Sequence, residues 1–218
     1  MIKNNNIITA LFISFFLITQ ICSAQSNKSL EDGINYLSLL IANNQIKSNS
    51  SDDLKIVDSL YLKAVQFYDG DISESLLALT FATLPFNKMP VSIPFIDYKI
   101  DLKLPSVKHS LFEMKKKNLP GIVYFDSRFK GGQDKDKVAH FFGNAFLAYN
   151  FSYFNLSKFM GIFVEMFEAT FKVSGGIDSR DLQTNYLGEF FGYSLTKNPK
   201  LLPSQFFDVY SLFYFSYN

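Results

Sequence analysis

Residues 136–144 read Asp136-Lys137-Val138-Ala139-His140-Phe141-Phe142-Gly143-Asn144, and their spacing decides what kind of fold this chain adopts. Asp136, His140 and Asn144 recur every four residues, so a helix from Lys137 to about Phe151 sets them on one face, with Gly143 beside them. The pattern returns twice. Gly161, Glu165, Glu168 and Lys172 follow at spacings of four, three and four on a predicted helix over 156–172. Asp181, Asn185, Gly188 and Gly192 repeat those spacings on a predicted helix over 181–195, after a turn at Gly175-Gly176. Each polar face contains glycine, which lets neighbouring backbones approach closely. The three faces therefore predict three helices turned toward a shared interior.

Ionisable groups inside apolar helices are costly to bury and need partners. His140, Glu165, Glu168 and Asp181 are the candidate catalytic residues, and Asp136, Asn144 and Asn185 are candidate binding residues. One imidazole with up to four carboxylates is a hard-ligand set suited to Zn, Mn, Fe, Mg or Ca, so the same four catalytic candidates are also candidate metal ligands. Two adjacent carboxylates would drive one pKa upward, giving an acid and a base. A structural reading accounts for the same residues. Asp136 suits the first turn of its helix and Asp178 the cap of the third. His140 and Glu165 form a hydrogen-bonded pair in this reading, and Lys172 neutralises Glu168 four residues away. No paired-histidine motif or cofactor fingerprint occurs, which leaves metal and cofactor unknown.

The N-terminus has the form of a secretory signal. Lys3 precedes an uncharged apolar stretch, Ile7 to Thr19, and Cys22-Ser23-Ala24 offers a small-residue cleavage site before Gln25. That apolar stretch is shorter than the roughly 20 helical residues that span a bilayer. Cleavage after Ala24 removes the only cysteine, so disulfides and thiolate metal sites are excluded from the mature chain. The net charge is +1, and the basic triplet Lys115-Lys116-Lys117 reads as a solvated helix end, which gives nucleic-acid binding no support. The chain has 25 Phe and 12 Tyr without Trp, an aromatic content that either fills a core or faces lipid. His109, beside Lys108, reads as a surface histidine.

Ahead of the polar faces, helical spacing marks a first helix within residues 26–52 through Leu30, Ile34, Leu37 and Ile41. A second helix covers Asp53 to Tyr68. Asp69-Gly70-Asp71 ends it and caps a third, in which Asp71 and Glu74 have capping-box spacing and Pro85 is the terminator. Strict alternation from Asp97 to Leu104 predicts a half-buried strand, with Val91 to Phe95 as an edge partner and Ile122 to Phe125 as a third short strand. Lys130 to Lys135 reads as a polar loop. Pro203 to Tyr217 is either an aromatic helix or an extended tail. The expected architecture is a mainly α helical bundle with a small β-hairpin or sheet insertion. It divides into a signal peptide at 1–24, a helical region with a short β element at 25–130 and the motif region at 131–218.

The order Asp136-Lys137-x-x-His140-Phe141, then Glu165-x-x-Glu168, then Asp181-x-x-x-Asn185-x-x-Gly188-x-x-x-Gly192 resembles the YfiM-like periplasmic proteins of bacteria and, more distantly, the VanZ-like membrane proteins. Glu168 stands where that family has an aspartate, and Ser179-Arg180 replace its aromatic residues. The resemblance is confined to residues 134–192 and implies a helical fold in the bacterial envelope, with no established reaction.

Two functions fit. One is an exported envelope protein, in the periplasm or associated with the membrane, with a non-catalytic binding or structural role and a membrane surface or lipid as partner. The alternative is a small envelope hydrolase or transferase acting on a lipid or cell-wall component, with or without a metal. Val138 to Ser157 is uncharged and long enough to span, yet it holds His140, Asn144, Asn150, Ser152, Asn155 and Ser157, each of which needs a partner in hydrocarbon. Peripheral attachment is therefore expected over integral insertion. Intact mass of the envelope form should show a chain beginning at Gln25; retention of Met1 would exclude cleavage.

Overall fold

A computed structural model describes residues 28–46, 52–93, 98–124, 126–127, 134–151 and 179–217. The signal segment and the expected helix over 156–172, with Gly161, Glu165, Glu168 and Lys172, lie outside the described residues, as does Asp178. Among the described residues are seven helices, α1 (Leu30–Ala42), α2 (Asp53–Phe67), α3 (Ile72–Thr83), α4 (His109–Asn118), α5 (Lys137–Asn150), α6 (Ser179–Leu195) and α7 (Pro203–Tyr217). One antiparallel hairpin, β1 (Lys88–Ile93) and β2 (Tyr98–Lys103), interrupts them. The fold is mainly α with a small β insertion, as the periodicity indicates.

Short polar side chains start the first three helices. Ser29 and Asp32 form a reciprocal capping box on α1. The Asp52 carboxylate accepts from the Leu54 amide at 3.1 Å, and the Asp71 carboxylate accepts from the Glu74 amide at 3.0 Å. Between α2 and α3, Asp69 and Gly70 adopt φ values of +55° and +97°, the left-handed turn that glycine favours.

One core joins the early and late helices. Leu37, Val57, Leu60, Leu76 and Leu79 pack with Phe141, Phe142, Phe191 and Phe207, all buried. The Phe141 ring lies 5.2 Å from Phe191 and 4.8 Å from Phe207, centroid to centroid. Here the phenylalanines fill a core. At the start of α7 the Ser204 amide donates to Asp58 of α2 at 2.8 Å.

Helices α5 and α6 are the closest pair, and glycine is the reason. A Cβ added at Gly188 would lie 2.2 Å from the Phe141 carbonyl oxygen, and one at Gly192 would lie 2.3 Å from that of Ala145. No side chain fits at either position. Gly143 behaves differently: it abuts Thr80 on α3 rather than the polar face.

Three expectations are corrected. Residues 121–124 form no strand; they are irregular, because side chains take the amides that a strand partner would use. Asp53 Oδ2 accepts from the amides of Gly121 (2.7 Å) and Ile122 (2.9 Å). Asp134 Oδ2 accepts from those of Val123 (3.2 Å) and Tyr124 (3.3 Å). Strand β2 is not half-buried at its described end, where Asp101, Leu102 and Lys103 are all exposed. The basic triplet is not uniformly solvated either. Lys116 and Lys117 are exposed, but Lys115 is fully buried, and its ammonium donates to the carbonyls of Phe81 (3.2 Å) and Ala82 (2.7 Å) at the end of α3. Helix-end carbonyls lack intrahelical partners and carry partial negative charge, so a cation suits the position.

Burial pushes the Lys115 ammonium down to about 8, from 10.5. Between those values the unfolded chain binds a proton that the folded chain does not, so stability should rise with pH across that window, by up to about 3 kcal/mol. Burial raises Tyr61, Tyr68 and Tyr124 above their ordinary 10.0, so stability should fall beyond that pH as the unfolded chain ionises first. Denaturant titrations from neutral to alkaline pH should show this maximum, and Lys115→Met should flatten the rising limb.

Candidate functional site

The glycine seam puts the polar face of α5 against that of α6. Asn144 Nδ2 donates to the His140 backbone carbonyl at 2.9 Å and to Asn185 Oδ1 at 2.8 Å. A carbonyl can only accept, so the first contact fixes which end of the Asn144 amide is nitrogen. The second then fixes Asn185 with its oxygen inward. His140 Nδ1 lies 3.2 Å from that oxygen and must carry the proton. Two asparagines thereby hold the imidazole with Nδ1–H toward Asn185 and Nε2 toward Asp181.

Asp181 Oδ1 lies 4.0 Å from His140 Nε2. Lys137 lies beside them, its side chain only 6% exposed, with its ammonium 2.5 Å from Asp181 and 3.4 Å from Asp136. The His140 side chain is 39% exposed and the Asp181 side chain 25%, so one side of the cluster meets solvent. A ligand atom each from Asp136, His140 and Asp181 lie within 4.8 Å of one another. Two carboxylates and an imidazole nitrogen suit a hard or borderline divalent ion. In this arrangement the Lys137 ammonium already pairs with both carboxylates, so a metal would compete with it.

A second network, missed by the sequence reading, fixes the N-terminal end of α6. The Arg180 guanidinium binds Asp126, Asp134 (3.1 Å) and Ser127 (2.8 Å). Burial works against its charge, yet the Asp126 and Asp134 carboxylates prevail and hold its pKa above the usual value. Asp134 is fully buried, with Arg180 on one oxygen and the Val123 and Tyr124 amides on the other. Thr184 gives its hydroxyl proton to the Arg180 carbonyl at 2.6 Å, so Tyr124 must be the donor in its 2.7 Å bond to Thr184.

The structure therefore brings together Asp136, His140, Asn144, Asp181 and Asn185. Glu165 and Glu168 fall outside the described residues. Asp136 occupies the N-cap position but makes no side-chain capping bond; its carboxylate reaches Lys137 instead. His109 is exposed, as expected. Asp134 was hidden in what reads as a polar loop, and Arg180 in what reads as a departure from a family pattern. The available signal was a cation opening a helix next to the motif aspartate; the two acids that it binds lie 46 and 54 positions earlier.

Comparison of the chain with protein-family models, with curated proteins and with solved structures finds no match in any of the three. The site stands on its own geometry.

The two networks should respond differently to loss of their cations. Arg180→Met leaves Asp134 buried and charged, and should cost about 3–5 kcal/mol. Lys137→Met leaves Asp136 and Asp181 able to take up water, and should cost less than about 2 kcal/mol. Urea denaturation of the two variants checks the order; equal losses would refute the distinction.

Proposed function

We propose that this is an exported bacterial envelope protein with a non-catalytic binding or structural role, in which the α5–α6 polar cluster locks the two helices in register. The observation that carries this reading is charge pairing. Lys137 sits between Asp136 and Asp181, and Arg180 between Asp126 and Asp134, so each of these four carboxylates already has a cationic partner within the protein. Asp136, Lys137, His140, Asn144, Asp181 and Asn185 include no hydroxyl or thiol nucleophile. Export is supported by the signal-like segment around Ile7 to Thr19. No helix among the described residues is long and apolar enough to cross a membrane. Helix α5 ends at Asn150, and the backbone at Phe151 is extended.

A small envelope hydrolase or transferase is the second reading, favoured by one feature. His140 is partly open to solvent, with Nδ1 held by Asn185 and Nε2 4.0 Å from Asp181, which presents an oriented imidazole for proton transfer at the edge of the cluster. His140→Gln separates the two. In cells lacking the native gene, this variant should restore the envelope phenotype in full at an unchanged melting temperature. A folded variant that restores nothing would transfer the assignment to the enzyme.

A further inference from the structure

The partly exposed side of the α5–α6 seam gathers a donor set that spans both helices. Asp136 and His140 come from the start of α5 and Asp181 from α6, with a ligand atom of each within 4.8 Å of the other two. Ligands bonded to zinc at about 2.0–2.2 Å in a tetrahedron lie about 3.5 Å apart. Small side-chain rotations close that difference. Asp136 has room for one, because its carboxylate is partly exposed and makes no capping bond.

The imidazole is oriented as a ligating histidine is oriented. Such a histidine gives its other ring N–H to a neighbouring acceptor, which fixes the ring. Here Nδ1–H goes to Asn185 Oδ1 at 3.2 Å, and Asn185 is buried and held in turn by Asn144. Nε2 then faces Asp181 at 4.0 Å. Charge also favours a cation. Asp136 and Asp181 share the single ammonium of Lys137, so two carboxylates against one cation leave a negative charge at the seam. A carboxylate has two oxygens and about four lone-pair sites, so each can meet an ion while still facing Lys137.

We infer that Asp136, His140 and Asp181 bind one divalent ion of the zinc type, which clamps α5 to α6. The nitrogen ligand selects against Mg2+ and Ca2+, which take oxygen. Three protein ligands leave a fourth position for water on the exposed side. Lys137 repels the ion and keeps its affinity modest. The inference deepens the register-locking reading and rests on it for the ion's purpose. The ion adds to a register that Gly188, Gly192 and the Asn144–Asn185 bond already hold, so the fold does not require it.

Titration in vitro judges the ion alone, whereas the cellular phenotype judges the lock. Isothermal titration of the untagged protein with zinc chloride should show one ion per chain, and zinc should raise the melting temperature. His140→Gln and Asp181→Asn should each weaken binding about a hundredfold, the upper end of what loss of a mere supporting partner costs. Each should also remove the thermal shift. Lys137→Gln should tighten binding about tenfold, because a like charge leaves the ion's surroundings. That gain should vanish when His140→Gln is added. His140→Gln keeps the test decisive if Asp181→Asn does not fold.

No binding at one ion per chain overturns the inference. Binding that neither His140→Gln nor Asp181→Asn moves would mean an adventitious ion only and overturns it too. A gain in Lys137→Gln that survives loss of His140 would reduce the effect to general charge attraction, with the same consequence.

Discussion

The contact of α6 glycines with α5 carbonyls is the constraint on which the rest of the arrangement depends. Packed helices ordinarily keep their axes about 8–10 Å apart, a gap filled by side chains. With Gly188 against the Phe141 carbonyl and Gly192 against that of Ala145, side-chain bulk is excluded from that part of the interface. Short polar side chains can then bridge directly, so Asn144 meets Asn185 at 2.8 Å with no intervening layer. Phe141 and Phe191 stack on each other in the core under the same close approach. Polar seam and aromatic core thus follow from one backbone geometry.

Carboxylates organise the chain where regular structure stops. The segment from Gly121 to Tyr124 has no ladder partner, yet its four amides are all satisfied, two by Asp53 on α2 and two by Asp134. Buried amides left unpaired would be costly, so this irregular backbone persists only because those acids are fixed elsewhere. Asp134 is fixed by Arg180, and Tyr124, held by the segment, returns a hydrogen bond to α6 through Thr184. The strap and the start of α6 therefore depend on each other.

Periodicity made the helices legible because it reports which face meets a core, and strict alternation made the hairpin legible without saying what it packs against. The convergence of Asp136, His140 and Asn144 with Asp181 and Asn185 was legible for the same reason, and Gly188 and Gly192 were read correctly as markers of close approach, whereas Gly143 turned out to face α3. What stayed hidden depended on tertiary partners. Lys115 looks like its neighbours Lys116 and Lys117 until the end of α3 is placed against it. Asp134 looks like loop until Arg180 arrives from 46 positions away. Apolar residues at 122–125 suggest a strand, and no local rule reveals that two distant carboxylates have already taken the amides.

The two charge networks differ in exposure, and that difference decides what each can do. Asp134 has no contact with water, and its oxygens are committed to Arg180 and two amides, so any change in its charge must be absorbed by the fold. Asp181 and His140 lie on the same pair of helices but remain partly exposed, although Lys137 and Asn185 beside them are buried. Partial hydration lowers the energetic cost of exchanging one partner for another, because a carboxylate that loses the ammonium regains water. The buried network can therefore hold geometry while the open one can exchange contacts. Any ligand that engages this seam should do so from the His140 side, against a frame that Arg180 keeps fixed.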